Sequence, residues 1–239
     1  MHFHVITLFP GVCEAYTNAS VLGRAQKTDK GKGAKVRGKK IEVSYYNPRD
    51  FATDTHRKTD ERPYGGGPGM VMMVEPIVRA WEQAVGKKTA ARKAGKVKTL
   101  IMSPRGTPFT QNVAKAYAAQ YDHVVLISGR YEGIDARVSD ITEAEEVSVG
   151  DYILTGGELP ALTIIDAVAR HIPGVLGASD SLEDDRATSG VTYTRPEIFT
   201  YKKQQYTVPK VLVEGNHAKI EAWRGGLVRG ENKTKKPKN

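Results

Sequence analysis

Two periods of apolar and polar positions alternate along the first 177 residues. Phe3 to Phe9 is a nearly continuous apolar run, the pattern of a strand buried on both faces, and Pro10 closes it. A helical period follows from Val12 to Leu22, and Ile41 to Tyr46 alternates as a second strand. Pro76 opens a helix that runs through Val85. Further on, the pattern predicts a strand at 99–102, a helix at 110–119, a strand at 123–128 and a helix or turn near Asp135-Ala136-Arg137. A short apolar run from Ser148 to Leu154 ends at Gly156-Gly157, and Pro160 opens a helix from Ala161 to Ile172. Ala161, Ile164, Ile165, Val168 and Ile172 share one face of it. Arg170 lies opposite, four residues after Asp166, with which it is spaced to pair. Strands alternating with helices predict an α/β domain with a parallel sheet covered on both faces.

The pattern changes after Gly177. Residues 178–190 are polar and acidic, with Asp180, Glu183, Asp184 and Asp185, and read as a linker. Residues 191–239 form a small second domain with a helix at His217 to Trp223 and a lysine tail at Lys233, Lys235, Lys236 and Lys238. A second basic stretch, residues 27–40, holds Lys27, Lys30, Lys32, Lys35, Arg37, Lys39 and Lys40 around a single acid, Asp29. Both stretches are read equally well as solvated segments and as phosphate contacts.

Composition narrows the class. At 39% hydrophobic over 239 residues, the chain can bury a substantial core. No apolar run approaches the roughly 20 residues of a membrane span, and no secretion signal is visible. The single cysteine, Cys13, excludes an internal disulfide and reads as a small buried hydrophobe. A cytoplasmic setting is expected. The net charge of +9 attracts polyanions, of which nucleic acid is the commonest.

Three loops follow apolar runs: Ser103-Pro104-Arg105-Gly106, Gly129-Arg130-Tyr131-Glu132-Gly133, and the run ending at Gly156-Gly157. Together they suggest one pocket lined by backbone. None carries a phosphate-cradling glycine motif, so a nucleoside triphosphate or dinucleotide is not expected. An adenosine joined to an amino acid suits such loops, because it needs close backbone contact and apolar walls. The Asp60 to Gly69 loop is polar and glycine-rich, and Tyr64 within it is placed to stack on a base. His56 and His171 read as structural, and no metal ligands are expected.

These segments resemble the bacterial tRNA (guanine-N1)-methyltransferases, a family of knotted, SPOUT-class S-adenosylmethionine enzymes. The resemblance rests on Gly129 to Asp135, Val149 to Arg170 and Arg62 to Pro76. It runs from Ile6-Thr7-Leu8-Phe9-Pro10 to Gly177 and resumes at Tyr193-Thr194-Arg195-Pro196. It implies a deep trefoil knot in the α/β domain, a small mainly helical C-terminal domain and a homodimer. The substrate would be tRNA, methylated at N1 of guanosine 37 beside the anticodon, with magnesium as a further requirement. By resemblance, residues 1–177 bind S-adenosylmethionine, 178–190 form the linker and 191–239 help hold the tRNA. Gly129 and the run Val149, Gly150, Asp151, Tyr152, Ile153 and Leu154 would line the cofactor site, with Ser103, Pro104, Glu132, Gly156, Gly157 and Pro160 nearby. Arg62, Tyr64, Gly66 and Arg195 would touch RNA.

Resemblance also makes Arg170 a catalytic arginine and puts the base in the linker. The family's Leu-Glu-Asp-Ser pattern maps Asp184 as the base, within Leu182-Glu183-Asp184-Asp185-Arg186; an ungapped count from Gly177 selects Asp185 instead. The chain departs from the family in a longer 27–40 stretch, a shorter linker, and Gly225-Gly226 where an arginine-rich helix is usual. Two other readings are a knotted methyltransferase of another RNA base and a non-catalytic RNA-binding relative.

Overall fold

The computed structural model describes residues 1–28, 38–86, 94–176 and 191–228. The acidic linker with Asp184 and Asp185, most of the basic 27–40 stretch and the lysine tail lie outside the described residues. The chain divides into two compact units, Met1–Gly177 and Ala178–Asn239.

In the first unit the strands are β1 (His2–Ile6), β2 (Glu42–Tyr46), β3 (Asp60–Glu61), β4 (Val71–Met72), β5 (Val97–Pro108), β6 (His123–Ile127) and β7 (Glu145–Ser148). Its helices are α1 (Pro10–Thr17), α2 (Ser20–Ala25), α3 (Val74–Val85), α4 (Gln111–Gln120), α5 (Arg137–Thr142) and α6 (Glu158–Ala169). A parallel sheet runs in the order β2-β1-β6-β5-β7. Side chains alternate across it with the period of two that a strand imposes. Phe3, Val5, Leu100, Met102, Val124 and Leu126 face one core with Ala161, Ile164, Ile165 and Val168 of α6. Ile6, Ile101, Val125 and Ile127 face the other, with Ile77, Ala80, Trp81 and Ala84 of α3. The apolar runs at β1, β5 and β6 are therefore strands sandwiched between helices.

Several elements depart from the pattern-based boundaries. The first predicted helix is two, because Asn18 ends α1 and Ser20 restarts the chain at a φ of 47°. The first strand stops at Ile6, leaving Phe9 outside it and 47% exposed. The run Val149 to Leu154 is not a strand. The strand is Glu145–Ser148, which holds two glutamates and so lacks an apolar signature. It pairs along β5, and the residues after it form an open loop in which Ile153 is 87% exposed. Helix α6 opens at Glu158, with Pro160 in its first turn, where the missing N–H is harmless.

The second unit, taken by itself, contains an antiparallel hairpin of β8 (Ile198–Tyr201) and β9 (Gln204–Thr207), then α7 (Lys210–Val213) and α8 (His217–Val228). The hairpin is an addition to the helices expected there. Its Ile198, Phe199, Tyr201 and Tyr206 are all largely exposed.

Candidate functional site

At the carboxyl ends of β6 and β7, beside residues 101–105 within β5, the first unit forms a cavity of about 700 Å³. That is the size of a site for a small organic ligand. Every residue assigned to the cofactor from sequence lines it: Ser103, Pro104, Gly129, Glu132, Val149, Gly150, Asp151, Tyr152, Ile153, Leu154, Gly156, Gly157 and Pro160.

Local folding explains why these segments meet. β5 pairs with β7 through Met102, leaves register, and pairs again from Thr107, so Val147 faces both Met102 and Thr107. Ser103 to Gly106 is thus an excursion held at both ends by one strand, not a loop after a strand end. The loop after β7 then folds back on the loop after β6, and the Gly157 N–H donates to the Gly129 carbonyl at 2.9 Å. Contact is so close that a Cβ on Gly157 would stand 2.6 Å from Ser128 Cα and 2.9 Å from Gly129 N. A Cβ on Gly156 would run into the Arg130 side chain, with Cδ at 2.7 Å. The two glycines thus make room for the protein's own chain while they line the cavity.

Beneath these loops lies a polar network that sequence reasoning missed. Arg130 Nη2 faces Glu158 Oε2 at 2.9 Å, with the glutamate side chain 3% exposed. Thr7 Oγ1 donates to Glu158 Oε1 at 2.7 Å, and Arg130 Nη1 donates to the Thr155 carbonyl at 3.2 Å. The guanidinium also covers the Phe9 ring at 4.5 Å. One ion pair therefore ties the end of β1, the loop after β6 and the start of α6. The available signal was Glu158 itself, a charged residue beginning an otherwise apolar helix. Nearby, burial and then the Glu158 and Glu14 charges push the Cys13 thiol up to about 11. Cys13 is fully buried and stays a neutral thiol, as its sequence context suggests.

The glycine-rich loop adjoins the cavity through backbone contacts. Met72 in β4 forms a parallel bridge with Ile134, and the Glu132 N–H donates to the Met70 carbonyl at 3.0 Å. Gly65, Gly66, Gly67 and Gly69 all take positive φ, from 80° to 117°, a region that favours glycine. Tyr64 at the loop's tip is 100% exposed, and Arg62 is exposed beside it. Arg195 is exposed in the second unit. On the cavity wall, Asp135 receives two hydrogen bonds from the Arg137 guanidinium, which hold its carboxyl below the usual range.

Arg170 does not line the cavity. It caps the far end of α6, its N–H donating to the Asp166 carbonyl at 3.2 Å. At 1.5 Å rise per residue, it is about 15 Å along the helix from Pro160. The Asp166 carboxylate that sequence spacing offers to Arg170 accepts a hydrogen bond from Tyr16 at 3.0 Å. His56 is exposed, and His171 bonds Gln111 at 2.8 Å. The fold also brings His123 beside His2 and His4, at the opposite ends of the strands. No helix among the described residues is long and apolar enough to cross a membrane.

A parallel sheet with a backbone-lined crevice at its carboxyl ends defines a ligand-binding α/β domain. Comparison with known proteins specifies which. The family model described as tRNA (Guanine-1)-methyltransferase TrmD matches residues 1–238. A Colwellia psychrerythraea protein named tRNA (guanine-N(1)-)-methyltransferase is 47% identical over 229 residues, which cover 94% of this chain and 85% of that protein. A Pseudoalteromonas atlantica protein of the same name is 44% identical over 242 residues, covering 98% and 83%. A third, from Thermomicrobium roseum, is 45% identical over 228 residues, covering 94% and 77%. The chain belongs to the tRNA (guanine-N1)-methyltransferase family.

Proposed function

We propose that this protein methylates N1 of guanosine 37 in tRNA, using S-adenosylmethionine held in the cavity at the ends of β6 and β7. The observation that carries the reading is the convergence of three loops and the start of α6 on one cavity, in a chain matched over its length by this family. The residues present suit the cofactor. Met102, Ile134, Val149 and Leu154 offer apolar wall for an adenine, and the surrounding loops bring backbone polar groups within reach. S-adenosylmethionine, when bound, supplies an electrophilic methyl group.

The remaining work falls to the chain's own residues. The N1–H bond of guanine must break as the N1–carbon bond forms, and a carboxylate in hydrogen-bond reach takes that proton. Asp184 is assigned this role, with Asp185 as the alternative register. Arg170 stabilises the negative charge that grows on the base as its proton leaves. Its separation from its own chain's cavity fits a homodimer in which each site draws residues from both copies. Arg62, Tyr64, Gly66 and Arg195 contact the RNA, and the 191–239 domain helps hold it. Magnesium would sit among carboxylates, waters and RNA oxygens, as a hard cation prefers.

The test is methylation of a tRNA transcript by the purified protein, with the product mapped to its nucleotide and ring position. Methyl at N1 of guanosine 37 is expected. Methyl at another base, or cofactor binding without transfer, would replace this reading. Sharing between copies is tested in verified heterodimers of an Arg170→Ala chain with an Asp184→Ala chain. If the pair comes from different copies, one site retains both residues and activity returns. Inactive heterodimers would overturn the sharing.

A further inference from the structure

We propose that His2, His4 and His123 form a binding site for a divalent transition-metal ion of the zinc type, separate from the methyl-transfer site. His2 and His4 lie two apart on β1, so the strand's period puts both on the face covered by α3. The parallel register of β1 with β6 sets His123 directly beside His2. One candidate ligand nitrogen from each of the three rings lies within 4.8 Å of the other two.

One edge of the cluster already has the spacing of a coordination sphere, and the others lie within 4.8 Å. A zinc–nitrogen bond of about 2.0–2.1 Å in a tetrahedral site places two ligand nitrogens about 3.3 Å apart. His4 Nε2 and His123 Nδ1 stand 3.3 Å apart, in a hydrogen bond that an ion between them would replace. The other two edges need to shorten by no more than about 1.5 Å from the 4.8 Å limit to reach that value.

The surroundings also match those of a metal site. A ligating imidazole commonly gives its other ring nitrogen to an outer partner that fixes its tautomer and orientation. Here β2 supplies two such partners. Ser44 Oγ lies 2.8 Å from His2 Nε2, and Tyr46 Oη lies 3.1 Å from His4 Nδ1. If each hydroxyl accepts from the ring N–H, His2 Nδ1 and His4 Nε2 present lone pairs. His4 is fully buried, whereas His2 and His123 are partly exposed, which leaves water access to a fourth position. Three neutral imidazoles select zinc, cobalt, nickel or copper over magnesium, which takes oxygen ligands. The site is therefore not the magnesium requirement of methyl transfer. Its ligands stand about 10 Å (His4) and about 16 Å (His2) along the strand from Thr7. An ion there clamps the starts of β1 and β6 and takes no part in the chemistry.

The experiment uses full-length, tag-free protein stripped of metal with a chelator. Zinc is titrated in competition with a chromophoric chelator, and cobalt is titrated by visible absorption. One zinc per chain and cobalt bands of tetrahedral intensity are expected, with a higher thermal midpoint on loading. Tyr46→Phe should weaken zinc binding by about 10–100-fold, the usual effect of losing an outer partner. His2→Gln and His123→Gln should each weaken it further, while methyl transfer by the metal-free protein stays unchanged. His4 is left in place because its burial makes a substitution there a folding risk. Failure of the folded wild type to bind one equivalent would overturn the proposal. So would wild-type affinity in both His2→Gln and His123→Gln, which would put the ion elsewhere.

Discussion

Removing the Glu158 carboxylate tests whether the buried ion pair fixes the cavity floor. In Glu158→Gln the Arg130 guanidinium, only 23% exposed, loses its counter-charge, and Thr7 Oγ1 keeps a neutral acceptor. Breaking a buried pair by removing one partner typically costs about 3–5 kcal/mol, because the surviving charge remains desolvated. Partial exposure of Arg130 and its contact with Phe9 favour the lower end, about 3 kcal/mol. For a unit of this size, each kcal/mol moves the thermal midpoint by about 2–4 °C, so a fall of about 6–12 °C is expected. The Thr155 carbonyl would also lose a firmly held donor, so calorimetry should show weaker S-adenosylmethionine binding. Replacing the pair together, as Arg130→Met with Glu158→Leu, should recover much of the lost stability but not the cofactor affinity. Lys58→Ala, which removes the half-exposed Lys58–Glu61 pair, serves as control and should leave the midpoint unchanged. An unchanged midpoint and unchanged cofactor affinity in Glu158→Gln would refute the reasoning.

Other predictions follow from the same geometry. Gly157→Ala drives a methyl group into the Ser128–Gly129 backbone, and overpacking of this kind costs about 1–3 kcal/mol, read as a lower urea midpoint. Wild-type stability would mean the two loops are not in contact. Asp184→Asn should lower single-turnover methyl transfer by about 10²–10⁴-fold with cofactor binding retained, and Asp185→Asn much less. The reverse order would move the base by one residue, and full activity in both would remove the linker carboxylate from the mechanism. Cys13 should resist alkylation in the folded protein, since its thiol titrates at about 11 rather than 9.0. The folded chain then keeps a proton that the unfolded chain has lost. This stabilising contribution is complete below about pH 9 and disappears as pH rises through about 11. Urea midpoints should fall over that window, and less steeply in Cys13→Ala; equal slopes would remove Cys13 as the cause.

Much of the fold was legible because parallel strands buried on both faces leave unbroken apolar runs. The segments at residues 100–102 and 124–127 do so, and 3–6 is broken only by the buried His4. β7 was hidden because Glu145 and Glu146 occupy half of it, and its assignment shifted to the apolar run beyond, which is exposed cavity wall. The cavity residues could be named because the glycine loops carry a long family motif. Their physical role was less visible. The closeness at Gly156 and Gly157 comes from Arg130 and the Ser128–Gly129 backbone, which meet them only in three dimensions. The Glu158 network and the histidine cluster share this cause. Each joins residues more than a hundred positions apart, with no local period to announce them.

The place of β1 in the sheet has a consequence for biosynthesis. β1 lies inside the sheet, and its neighbour β6 follows about 120 residues later in the chain. At a synthesis rate of about 5–20 residues per second, β1 waits several seconds before that neighbour leaves the ribosome. Until then its Phe3, Val5 and Ile6 have only β2 beside them and an incomplete core. The nascent chain thus exposes an unpaired apolar edge over a long interval, the condition under which strands aggregate or recruit chaperones. A pause in translation before residue 123 should lengthen that interval and lower soluble yield, whereas one after residue 148 should not.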